Sequence, residues 1–274
     1  MAATLTTAIS DIFCDFADNV APCDWLCMEK GIKALAADGL PDLKSCVVTC
    51  EGDISKAQIV VSIAGNGYSD RYYIDPVKKS VLRGTMFNDR RDRHTGRRMF
   101  ANRAIVGQAL GATRLEGYAA DTMGAYVWAR AGMLPKSSQD GLPGMLAARA
   151  AILAPLLTPD QNEAIRKLSR LDDLEDLWCL ADLGALAPVS EADFDTALDH
   201  TYSIGNHAYF KNEGFFKNGV TMGQFMLCGL SYDAVFDFAN SRQMDRVEAY
   251  TGVPIRERAL ALRRKPAHAA RLVP

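Results

Sequence analysis

Six arginines fall between Arg90 and Arg103, and five of them flank the triplet His94-Thr95-Gly96 in the run Asp89-Arg90-Arg91-Asp92-Arg93-His94-Thr95-Gly96-Arg97-Arg98. Guanidinium groups present forked, charge-assisted donors to anionic oxygens, and glycine lets a backbone come close to a ligand. A helix opening at this point would add unpaired N–H groups and a partial positive charge. That combination suits a pyrophosphate. A broader anionic partner such as nucleic acid would use the same arginines, but the chain as a whole carries a net charge of −2 with a pI near 6.1. Such a balance argues against general nucleic-acid affinity, which needs a basic footprint.

The elements around the run are suited to holding it in place. Val81–Asn88 reads as a strand, with Gly84 at a position that marks a bulge or a close backbone approach. A helix is expected over about 97–110, with Phe100, Ala104 and Ala109 near one side and Ile105 and Val106 widening the apolar face. Gly111 stops it. Thr113–Ala119 then alternates as a strand, with Leu115, Gly117 and Ala119 on one side, and about 122–131 reads as a helix ending at Gly132.

Strand, Arg/Gly loop, helix, strand and helix in this order resemble the acyl-CoA-binding core of the GNAT superfamily of N-acyltransferases. The family's loop has the form Q/R-x-x-G-x-G/A; Arg93 and Gly96 match it, and Arg98 stands in place of the last small residue. The segment GAYVWARAGM looks like a variant of the family's Asn…Tyr…Gly-Phe ending, with Asp121 in the Asn slot and Trp128 in the tyrosine slot. An indole N–H donates a hydrogen bond but supplies no proton at ordinary pH. The resemblance spans roughly residues 40–135. It implies an α+β (mixed α/β) fold with a twisted, mostly antiparallel sheet flanked by helices.

The resemblance also implies roles. Acetyl-CoA or a longer acyl-CoA would be the donor, its pyrophosphate held by Arg93, Thr95 and the N–H groups of Gly96, Arg97 and Arg98. One of Arg90, Arg91 and Arg103 would meet the adenosine phosphate. Strands 83–88 and 113–119 would part, and a backbone N–H near Met86 or Phe87 would hold the thioester carbonyl. The acceptor amine has to lose a proton, so a base is needed nearby. Glu116 is the first candidate, with Asp121 and Tyr126 behind it; Glu116 could equally be a surface partner of Arg114 or Arg83.

Upstream, residues 4–19 and 24–38 read as helices, with Asp24 as an N-cap and Gly39 and Pro41 as stops. Strands follow at about 44–50, 58–64, 71–74 and 80–88, separated by turn residues. Pro135–Gly144 is a turn-rich connector and divides an acyl-CoA-binding region, 1–134, from a mainly helical region, 145–274. Helices are expected over 145–154, 160–171, 173–183 and 191–200, with several shorter ones to Leu262. The segment 200–220 is rich in aromatics, Gly and Asn and contains His200 and His207. The basic stretch from Arg256 onward reads as a solvated helix end or a contact for an acidic peptide or carrier.

Seven dispersed cysteines favour reduced thiols over a disulfide framework. Cys23 with Cys27 and Cys46 with Cys50 have a spacing that raises a four-thiolate zinc site; strand residues 46 and 50 instead face one side as small core groups, so no metal is expected. No apolar run reaches the length of a membrane span, and the expected protein is soluble and cytoplasmic. The leading expectation is transfer of an acyl group from acyl-CoA to an amine of a peptide, protein or small molecule, by a chain for which a homodimer is also admitted. A CoA-binding module without turnover is the alternative, and an anionic-partner protein ranks third.

Overall fold

Ile59, Val61 and Ile63 recur at every second position of Gln58–Gly65, and in the computed structural model this stretch is a strand with all three buried. The structure describes residues 25–42, 46–53, 58–75, 77–88, 93–119, 121–136, 141–199 and 219–263. The expected first helix at 4–19, the segment 200–218 with His200 and His207, and the end of the chain from residue 264 lie outside them. The fold is mixed α+β with a mostly antiparallel sheet. Two compact units divide it, one drawn from Met1–Gly117 with Phe236–Pro274 and the other from Tyr118–Val235. The connector at 135–144 lies within the second.

In the first unit, helix α1 (Trp25–Ala37) is followed by strands β1 (Val47–Asp53), β2 (Gln58–Gly65), β3 (Tyr68–Asp75) and β4 (Ser80–Asn88). Each pairs antiparallel with the next. The β2–β3 hairpin turns on Asn66-Gly67, with Gly67 at φ 74°, the left-handed conformation that the second central position of a type II turn requires of glycine. β3 begins at Tyr68 rather than near Arg71, because Tyr68, Asp70, Tyr72 and Ile74 all point into the core and keep the strand period three residues earlier than expected.

Helix α2 (Arg93–Ala109) packs on α1, β3 and β4 through Met99, Phe100, Ala104 and Ile105, all buried. Gly111 at φ 85° follows its end. β5 (Arg114–Ala119) runs parallel to β4, and β7 (Tyr232–Asp237) lies beside β5. The strand order up to β5 is β1-β2-β3-β4-β5, and of β7 this unit takes only Phe236 and Asp237. Helices α9 (Ser241–Thr251) and α10 (Ile255–Arg263) cover α2, and Phe236 of β7 meets Phe100 edge to face at 6.4 Å between centroids.

The second unit holds α3 (Asp121–Arg130), the short strand β6 (Leu134–Pro135), α4 (Leu142–Leu153), α5 (Pro159–Ser169), α6 (Asp176–Ala181), α7 (Glu191–Asp199) and α8 (Met222–Leu227). β6 pairs antiparallel with the start of β7. Thr158 with Gln161 and Thr221 with Gln224 form capping boxes that set the starts of α5 and α8. Arg149 is fully buried and donates to the carbonyls of Phe225 (2.8 Å) and Cys228 (2.6 Å), satisfying the C-terminal end of α8. Burial pushes its pKa down to about 10. No helix among the described residues is long and apolar enough to cross a membrane.

Candidate functional site

The site expected from the arginine run belongs to the first unit and begins with an irregularity in β4. Asp70 pairs with Met86, but Tyr72 pairs with Arg83, so three steps along β4 match two along β3. The extra residue lies at Gly84-Thr85, opposite Arg71, and is a β-bulge. A Cβ on Gly84 would overlap the Arg71 carbonyl, so only glycine fits there. The parallel ladder between β4 and β5 covers Ser80–Leu82 against Arg114–Glu116. β4 itself runs on to Asn88. Met86 is half-buried there and Phe87 is 56% exposed.

Five residues after β4 ends, α2 begins at Arg93. The run Arg93–Arg98, expected as a loop leading into a helix at residue 97, forms the first two turns instead. Arginine is a good helix former, and a single glycine in the second turn costs too little to delay the start. Arg93, His94, Thr95 and Gly96 consequently form the first turn of the helix, and the amides of Arg97 and Arg98 point back into it. Thr95 is buried, and among the described residues a Cβ on Gly96 would meet only Asn88 Nδ2, at 3.5 Å. Arg90, Arg91 and the side chain of Arg93 lie outside the described residues.

The remaining arginines separate into different roles. Arg97 is half-buried, with its guanidinium 4.6 Å from the centroid of the Tyr250 ring of α9, and its buried Nε has no hydrogen-bond partner among the described residues. Arg98 turns the other way. Its Nε donates to the Asp38 carbonyl at 2.8 Å and its Nη2 pairs with the Asp38 carboxylate, which also pairs with Arg258 of α10. Asn102 Nδ2 donates to the carbonyls of Ala36 (3.1 Å) and Asp38 (2.8 Å), so two α2 side chains cap the end of α1. Burial works against the Asp38 carboxylate, but Arg258 and Arg98 outweigh it and hold its pKa below the ordinary value. Arg103, expected as one of three arginines able to reach a phosphate, is buried in an ion pair with Asp70. It faces the sheet because an α2 residue in phase with Met99, Phe100 and Ala104 points inward.

Glu116 is half-buried on β5 in register with Leu82, and accepts a hydrogen bond from Arg114 Nε at 2.6 Å. Its expected surface partner is thus the one observed. Asp121 opens α3 in the second unit, with its side chain outside the described residues. Tyr126 on the same helix accepts from Arg130 Nη1 at 3.3 Å, and Arg130 also lies 5.8 Å from the centre of its ring. Trp128 is half-buried. Among the described residues no three His, Cys, Asp or Glu side chains gather as a metal site. Cys14, Cys23 and the side chains of Cys27 and Cys50 lie outside them, and Cys46, Cys179 and Cys228 are free thiols.

Four residues that shape the site are absent from the sequence reading: Asp38, Asp70, Asn88 and Tyr250. Asp70 carried a usable signal, since it shares the inward phase of Tyr68, Tyr72 and Ile74. Asp38 and Tyr250 meet their arginines across 60 and 153 positions of chain, which local periodicity cannot register. No family model, no curated protein and no solved structure matches the chain.

Proposed function

We propose that this chain is an acyl-CoA-dependent N-acyltransferase with a GNAT-like core, working in the cytoplasm on an amine of a peptide, protein or small molecule. The observation that carries the reading is the three-pair parallel ladder between β4 and β5 together with the arginine-rich N-terminus of α2, which begins five residues after β4 ends. An opening between parallel strands exposes strand-edge peptide groups to a ligand, and the helix start beyond it favours an anion. The bulge at Gly84 and the strand order support the same reading.

In this mechanism the positive N-terminal end of α2 receives the pyrophosphate, with Arg93 and Arg97 as side-chain cations. The Met86 or Phe87 N–H receives the thioester carbonyl and stabilises the oxyanion that forms on attack, an effect worth about 3 kcal/mol in enzymes generally. The amine attacks that carbon as its proton passes to Glu116 directly or through water, the C–S bond breaks, and CoA leaves as the thiolate. The Arg114 bond orients Glu116 and at the same time competes for its lone pairs.

Binding without turnover is the second reading, favoured by Trp128 in the tyrosine slot and by the Arg114–Glu116 pair. Titration calorimetry with acetyl-CoA and octanoyl-CoA, followed by thiol release across an amine and peptide panel, separates the two. Saturable binding with thiol release is expected. Binding without release selects the module; absence of binding at millimolar ligand overturns both, and a generic polyanion affinity that collapses with salt selects the anionic-partner reading.

A further inference from the structure

Arg103 and Asp70 form an ion pair with side chains 2% and 0% exposed, enclosed between α2 and the sheet. The Arg103 guanidinium also lies 5.2 Å from the centroid of the Tyr72 ring, two residues along β3. The pair is incompletely satisfied, for Asp70 Oδ2 and Arg103 Nε have no hydrogen bond among the described residues. A buried pair of this kind is a poor source of stability, because well-packed apolar residues in its place are commonly neutral or better. Its use is specificity of placement. Met99, Phe100, Ala104 and Ile105 tolerate sliding, whereas a charge pair is satisfied in one register only, and the other polar anchors of α2, Arg98 and Asn102, hold it to the end of α1 rather than to the sheet.

The location gives that register a consequence. Asp70 is the β3 residue opposite Met86, at the edge of the β4 bulge. One turn beyond Arg103 on α2, a Cβ on Gly107 would overlap Val81 at the start of β4. The helix is therefore fixed at two points, by close contact near the start of β4 and by charge beside its bulged end. We propose that Arg103 and Asp70 are a positioning pair that sets where the first turn of α2 stands relative to Thr85–Asn88. The binding consequence rests on the acyl-CoA reading above; the structural consequence does not.

The test compares wild type, the apolar replacement Asp70→Leu/Arg103→Met, and Arg103→Lys by thermal unfolding, hydrogen exchange and acetyl-CoA titration. The double variant is expected to unfold cooperatively within a few degrees of wild type. Amides of the peptide spanning 85–96 are expected to exchange at least tenfold faster, with β1 and β2 unchanged, and acetyl-CoA to bind at least tenfold more weakly. Arg103→Lys, which keeps the charge but loses the fork, is expected to fall between the two. A folded double variant with wild-type exchange over 85–96 overturns the proposal. Should the double variant not fold, Arg103→Lys decides on the same peptide, and unchanged exchange there overturns it as well. If wild type binds no acyl-CoA, the acyl-CoA reading fails while the exchange result still decides the pair.

Discussion

Gly84 and Arg71 face each other across the β3–β4 ladder so closely that no side chain fits on Gly84, because the Arg71 carbonyl occupies the space of its Cβ. Neither atom belongs to a flexible side chain, so the neighbour cannot yield cheaply. Gly84→Ala is expected to destabilise the protein by about 2 kcal/mol or more, the range of overpacking and backbone strain. Urea unfolding checks this, and a midpoint equal to wild type would mean that the bulge adapts.

Gly96 presents the opposite case. Its Cβ position is open apart from an ordinary contact with Asn88, and it sits in a helix, where alanine is favoured by roughly 0.5–1 kcal/mol. Gly96→Ala is expected to keep or raise stability while weakening acetyl-CoA binding at least tenfold. Equal affinity in the two proteins would remove Gly96 from the ligand's path.

Asp38 makes the α1–α2 contact pH-dependent in a defined direction. Its folded pKa lies below the ordinary value of 3.8, so the unfolded chain takes up the proton first as acid is added. Stability from its pairs with Arg98 and Arg258 is fully present above 3.8 and is lost as pH falls through the depressed folded value. Asp38→Asn is expected to be less stable than wild type at pH 7, with the two melting curves converging in acid. A gap that stays constant from pH 7 to pH 2.5 would assign the effect to packing.

Arg149 holds two buried carbonyls at the end of α8, and Arg149→Met leaves both without that donor. The expected loss is about 3 kcal/mol, from unsatisfied buried acceptors. Calorimetric unfolding measures it, and hydrogen exchange should report the change first in α8. A loss within 0.5 kcal/mol, the range of ordinary surface substitutions, would contradict this role.

Strand β4, helix α1 and the antiparallel meander were legible because apolar alternation and Gly or Pro stops encode them locally. The start of α2 was less so: Gly96 reads as a loop residue until its low cost within a long helix is counted. β7 was missed within a region read as helical, although Tyr232, Ala234 and Phe236 alternate with Asp233, Val235 and Asp237. Its neighbouring helices share enough apolar residues to hide a six-residue period-two run. At the site, arginine content pointed to an anion, but the sequence could not say which arginines were already taken. Asp38 and Asp70 claim Arg98 and Arg103 from other elements, and only the folded chain brings them together.

Phe236, Phe238, Met244, Val247 and Ile255 are buried in the first unit although they follow more than a hundred residues of the second. During synthesis, Tyr118–Val235 emerges from the ribosome before Phe236, whereas α2 must wait with an uncovered face for α9 and α10. A stop at Val235 would strip that face permanently. The order of completion is thus the reverse of the order of emergence, and the unit carrying the arginine-rich helix start is finished last.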